Sequence, residues 1–109
     1  MQAAFTPDPS RNNPAMMMDF YEMTMANAYF LTGLKDTRVV YDMFFRRVPD
    51  GGGYALAVGQ ESLVRHLLDF HFDPEDIAYF ASKGIFDPKF LEYLSHYRFG
   101  GSVYCVPEG

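Results

Sequence analysis

Cysteine is almost missing from this chain: Cys105 is the only one in 109 residues. An intrachain disulfide is thereby excluded, which fits a reducing compartment. Flanked by Val103, Tyr104 and Val106, the thiol reads as a small buried hydrophobe rather than an activated nucleophile. Long apolar runs are missing too. Nothing approaches the roughly 18 residues of a membrane span, and the first residues carry neither the basic nor the apolar region of a secretory signal. The sequence therefore predicts a soluble, cytoplasmic chain with no membrane partner. Positive charge is scarce, with 9 Lys and Arg against 14 Asp and Glu and a net charge of −5. A nucleic-acid footprint needs the reverse balance arranged as a stripe, whereas these basic residues are scattered; a local phosphate site remains compatible with them.

Signatures of several chemistries are also absent. His66, His71 and His96 stand at no ligand-like spacing, and each reads as a solvated imidazole on a helix surface. Gly51-Gly52-Gly53 is followed by neither Lys-Ser/Thr nor a dinucleotide pattern, so by itself it is a flexible turn. The carboxylates form no catalytic dyad, because Asp73 and Asp87 are accounted for as helix caps. No residue is therefore assigned as catalytic or as a metal ligand.

Against these absences stands a content of 49% hydrophobic and 17% aromatic residues, enough for one folded domain. Residues 1–15 hold three of the seven prolines and almost no bulky apolar side chain. With little to bury against the entropy of ordering, they are predicted to be a disordered N-terminal arm, and residues 16–109 the folded portion. Met16 to Leu34 is rich in helix formers and closes on Gly33, a natural residue just past a helix end. Phe20, Met23, Asn27 and Phe30 mark one face of that helix, and Tyr21, Met25, Ala28 and Tyr29 another. A helix apolar nearly all round has to be buried on several sides.

From Arg38 to Arg47 the pattern alternates, with Val39, Tyr41, Met43 and Phe45 on one face and Val40, Asp42, Phe44 and Arg46 on the other, the period of a strand. Pro49 to Gly53 breaks it. Tyr54 to Val58 reads as a second strand, and the two form a hairpin across the glycines. A helix follows from about Gln60 to Asp69, with Leu63, Val64, Leu67 and Leu68 on its inner side. Phe72-Asp73-Pro74 and Phe86-Asp87-Pro88 then open two helices with one grammar: Asp as N-cap, Pro as first helical residue, and Phe stapled onto Ile77 or Leu91. Gly84 ends the first, and the second reaches about Tyr97. Gly100-Gly101 turns the chain into a last strand, giving the order α, β, β, α, α, α, β and an α+β class. That strand has no element after it to pair with, and an unpaired edge invites association, so the chain is expected to be the front portion of something larger.

Two segments bear on ligands. Phe44-Phe45-Arg46-Arg47-Val48-Pro49-Asp50-Gly51-Gly52-Gly53 sets an arginine pair at a strand end beside unhindered backbone amides, as a polyphosphate site does; a solvated pair of charges is the alternative. Asp19-Phe20-Tyr21-Glu22-Met23-Thr24-Met25 reads as helix core on its residues alone. This second segment nevertheless resembles the Asp-Leu/Phe-Tyr-Gln/Glu-Leu/Met-Thr-Met stretch near the start of nicotinate phosphoribosyltransferases. Phe44 to Arg47 with Pro49 and its glycines, Gly59-Gln60-Glu61, and Phe99-Gly100 through Val106-Pro107-Glu108-Gly109 follow in that family's order, so the resemblance covers residues 17–109. Met18 in place of a common Thr, Gly101-Ser102 in place of Gly-Asp, and Cys105 in place of Ala are mild departures. Length is the serious one, since the family is several-fold longer.

The resemblance implies an enzyme of NAD salvage that joins nicotinate to 5-phosphoribosyl-1-diphosphate, with ATP hydrolysis coupled and Mg2+ as its metal. It implies a type II phosphoribosyltransferase fold, in which an N-terminal α/β domain is incomplete without the barrel that follows, and a homodimer whose sites borrow residues across the interface. The tyrosine matching Tyr21 would contact the nicotinate ring from the partner subunit, and the arginines matching Arg46 and Arg47 would bind phosphate. The phosphorylatable histidine, the ribose-phosphate loop and the carboxylate-binding arginine of the family have no counterpart in these residues. The isolated chain is accordingly expected to bind no cofactor and to be inactive. The rival expectation is a non-catalytic α+β interaction module that reuses this segment to dock onto a partner chain.

Overall fold

The structure, a computed structural model, describes residues 13–107. Among these the helices are α1 (Phe20–Leu31), α2 (Gln60–Leu68), α3 (Pro74–Ser82) and α4 (Pro88–Ser95), with 3-10 turns at Pro14–Met16 and Pro49–Gly51. Local chemistry sets their limits. Asp73 and Asp87 are the N-caps of α3 and α4, and Pro74 and Pro88 their first residues, where a missing N–H leaves no bond unmade. The Lys89 N–H donates to Asp87 Oδ1 at 2.8 Å. At α3 the Asp73 N–H donates to the carboxylate of buried Asp76 at 2.9 Å, half of a capping box. Gly33 after α1 and Gly84 after α3 have φ of +78° and +69°, a conformation in which a side chain would be strained. Helix α1 starts later than its run of helix formers, at Phe20, and Met16 instead closes the first 3-10 turn.

That turn falls at the end of the arm expected over residues 1–15, of which only 13–15 are described. Asn13 holds its end: the Ala15 N–H donates to Asn13 Oδ1 at 3.1 Å, while Asn13 Nδ2 donates to the His71 carbonyl at 2.9 Å and to Asp73 Oδ2 at 3.0 Å. Ala15 and Met16 are buried as a result. Long-range hydrogen bonds from one amide order a stretch whose apolar content alone predicts freedom. Residues 1–12 of the predicted arm lie outside the described residues, as do Glu108 and Gly109.

The core is aromatic. Helix α4 lies against both α1 and α3. Between them the rings form a closed circuit, Phe70 to Phe72, Phe80, Phe86, Phe90, Phe30, Tyr93, Tyr97 and back to Phe70, with centroids 5.2 to 6.2 Å apart. Most neighbours meet edge to face or tilted, and each such pair contributes about 0.5–1.5 kcal/mol beyond the area it buries. Phe72 and Phe86, the residues ahead of the two Asp-Pro caps, are buried here, with Ile77 and Leu91 packed on the same cluster. Met23 and Leu94 complete it, and Asn27 Oδ1 accepts the Asp87 N–H at 3.2 Å, tying α1 to the start of α4.

Strands are where expectation and structure part. Among the described residues no β-strand forms, so the α+β class rests on sequence pattern alone; 38–47, 54–58 and 103–106 run without regular structure. Their apolar residues stand in solvent, Val40 at 90%, Tyr41 at 86% and Tyr104 at 97% exposure. A strand is completed by a second edge that receives its N–H and C=O groups, and no described segment offers one. Cys105, expected to be buried, is exposed for the same reason. The radius of gyration is 16.2 Å, against about 13 Å for a compact domain of about 100 residues.

Candidate functional site

Tyr21 is the second residue of α1, and its neighbour explains its position. Phe20 turns inward and meets Phe86 edge to face at a centroid distance of 5.7 Å, which leaves Tyr21, one residue on, outside at 56% exposure. Met25 and Tyr29 follow at steps of four, each 45% exposed, so they share its face. The helix is thus buried along Phe20, Met23, Asn27 and Phe30 as its pattern predicts, whereas the Tyr21 side is open rather than buried. Thr24 Oγ1 donates to the Tyr21 carbonyl at 2.8 Å. The ring offers a flat apolar surface to an incoming ligand or surface.

Arg46 and Arg47 are exposed at a bend just before the Pro49–Gly51 turn. Neither makes an ion pair among the described residues, so both guanidinium groups keep their donors for a ligand. Asp50 adopts φ of +57° and Gly51 +64°, reversing the chain, and the Gly52 N–H closes the turn on the Pro49 carbonyl at 3.1 Å. Of the glycine amides proposed to meet phosphate, that one is occupied. No hydrogen bond or ring contact joins Tyr21 to either arginine, so the structure leaves these candidates as separate features.

Two arrangements escape the sequence reading. An open cleft of about 490 Å³ is lined by Phe30, Glu92, Tyr93, His96, Tyr97 and Arg98. Lys35 Nζ lies over the Tyr93 ring at 5.4 Å, and burial pushes the Tyr97 hydroxyl above its ordinary pKa. The cleft includes neither Tyr21 nor the arginine pair. His71 is the second: read as a solvated imidazole, it instead bonds through both ring nitrogens, Nδ1 to the Asp69 carbonyl at 2.6 Å and Nε2 to Asp73 Oδ1 at 3.0 Å. Its position two residues before an N-cap Asp is the signal that sequence offered. Among the described residues no three His, Cys, Asp or Glu side chains gather as metal ligands do, and no helix is long and apolar enough to cross a membrane.

Comparison with known proteins gives these features a frame. The family model of the nicotinate phosphoribosyltransferase N-terminal domain matches residues 16–109. The chain is 40% identical to the nicotinate phosphoribosyltransferase pncB2 of Mycobacterium tuberculosis over 95 residues, which are 87% of this chain and 20% of that protein. It is 34% identical to the human nicotinate phosphoribosyltransferase over 112 residues, 100% of this chain and 21% of that one. With the Bacillus subtilis nicotinate phosphoribosyltransferase it shares 34% identity over 91 residues, 84% of this chain and 19% of the relative. The chain thus spans about a fifth of the length of the curated relatives it matches. No solved structure matches it. The family-model match over residues 16–109 and identities of 34 to 40% to these relatives settle the kinship: this chain belongs to the nicotinate phosphoribosyltransferase family, by its N-terminal domain.

Proposed function

We propose that this chain is the N-terminal portion of an enzyme of NAD salvage that makes nicotinate mononucleotide and diphosphate from nicotinate and 5-phosphoribosyl-1-diphosphate, with coupled ATP hydrolysis. The pyridine nitrogen attacks C1 of the ribosyl group with its lone pair. The bond from C1 to the diphosphate oxygen breaks, and that oxygen leaves with the electron pair. Tyr21 contributes a ring face on which the electron-poor pyridine stacks. One guanidinium of the pair Arg46 and Arg47 hydrogen-bonds phosphate oxygens, of diphosphate or of ATP, and so offsets the charge that the leaving group gathers.

The complete enzyme is a cytoplasmic homodimer in this reading, and Tyr21 reaches the partner subunit's site from the open face of α1. There, 38–47, 54–58 and 103–106 become strands of an α+β domain by pairing with segments outside this chain. The observation that carries the reading is Tyr21 itself, an exposed ring in the family's matching segment on a helix whose other face is spent on the core. Its test is a hybrid in which residues 16–109 replace the matching fifth of the Bacillus subtilis relative. Tyr21→Phe should keep the nicotinate KM within about twofold, because the ring face is intact. Tyr21→Ala should raise it about five- to tenfold, the equivalent of about 1–1.5 kcal/mol of lost ring contact. An unchanged KM with a lowered melting temperature in Tyr21→Ala would make Tyr21 a packing residue.

A further inference from the structure

We propose that protonated His71 is a clasp that holds the Pro14–Met16 turn against the junction of α2 and α3, and that loss of its proton releases the turn. The geometry requires a cation. Nδ1 faces the Asp69 carbonyl at 2.6 Å and Nε2 faces Asp73 Oδ1 at 3.0 Å, and both of these are acceptors. A neutral imidazole carries one N–H and one lone pair, so it serves only one of the two contacts and sets a lone pair against oxygen at the other. The imidazolium donates to both.

The clasp reaches the turn through shared atoms. Asp73 holds His71 with Oδ1 and Asn13 with Oδ2, and the same Asn13 amide donates to the His71 carbonyl at 2.9 Å. Asn13 in turn caps the turn that buries Ala15 and Met16. Among the described residues the charged groups nearest the imidazole in sequence are carboxylates: Asp69 past the end of α2, and Asp73 with Glu75 and Asp76 in the first turn of α3. His66 on α2 is engaged edge to face with Phe70, and residues 13–16 bring no charge. The bond to the Asp69 carbonyl, with the Asp73 carboxylate behind it, raises the His71 pKa above its ordinary 6.5. A raised folded-state pKa means that the clasp is fully formed below 6.5 and fails as pH climbs through the higher folded value. The turn is therefore held by a group that a rise in pH through that folded value discharges.

Hydrogen exchange read by mass spectrometry on this chain tests the clasp whatever its state of association. Exchange at the imidazole C2 position across a pH series gives a midpoint for each histidine. Backbone exchange, corrected for its intrinsic pH dependence, gives the protection of the 14–18 segment. His71 should titrate above its ordinary 6.5, and protection of 14–18 should fall about tenfold or more with the His71 midpoint. In Asn13→Ala the protection should be low at every pH while His71 still titrates high; in His71→Gln the pH step should disappear. The proposal is overturned by a His71 midpoint no higher than the ordinary 6.5. It is equally overturned by protection of 14–18 that ignores the His71 midpoint.

Discussion

Arg46 and Arg47 are neighbours with one chemistry and, in an alternating segment, two destinations. Both are exposed in the structure. In the proposed complete enzyme, a strand over 38–47 would send successive side chains to opposite faces, and only one guanidinium could then meet a phosphate placed on one side. In the hybrid, one of Arg46→Ala and Arg47→Ala should raise the apparent KM for phosphoribosyl diphosphate or ATP about tenfold or more. That is the scale of a charge-assisted hydrogen bond, about 1.5–3 kcal/mol. The other should change it less than about twofold. Initial-rate kinetics with each substrate varied decides this, and equal, negligible effects would reduce the pair to solvated charge. At this scale the chain is legible where chemistry is local: Asp73-Pro74, Asp87-Pro88, Gly33 and Gly84 each act on the backbone within a few residues. Asn27 and His71 were not legible, since the Asp87 N–H that meets the one is sixty residues away and the Asp69 carbonyl that meets the other is backbone, which no side-chain pattern records.

At the scale of elements, the helices owe their arrangement to rings rather than to broad apolar faces. Helix α2 has no fully buried residue, and its Leu68 is exposed, although Leu63, Val64, Leu67 and Leu68 read as its inner side in the sequence. Helices α3 and α4 contribute Phe80 and Phe90, each 2% exposed, at the middle of the aromatic circuit. Phe80→Ala should therefore cost about 3–5 kcal/mol, a large share of the stability of a domain that has about 5–15 in all. Leu68→Ala should stay within about 0.5 kcal/mol. Urea denaturation of the two variants checks the contrast, and comparable losses would place the core elsewhere. The strand segments show the opposite limit. Alternation in 38–47 and 54–58 is written in the sequence, but a ladder is made by two edges, and periodicity names no partner.

For the molecule as a whole, the small helical core and the long exposed apolar segments belong together. Residues 32–58 are exposed throughout, and no described helix covers them. Exposed apolar area on this scale marks a surface that another part of a protein covers, and the family relatives are about five times the length of this chain. In the proposed reading the chain supplies only a ring face and a phosphate-binding arginine, whereas acceleration at the ribosyl carbon requires groups arranged around it in the transition state. The most direct measurement is formation of nicotinate mononucleotide from labelled nicotinate by the purified chain and by the hybrid carrying residues 16–109, side by side. The account predicts no protein-dependent product from the chain alone and clear turnover from the hybrid. Turnover by the chain alone, or a folded hybrid that makes no product, would contradict it.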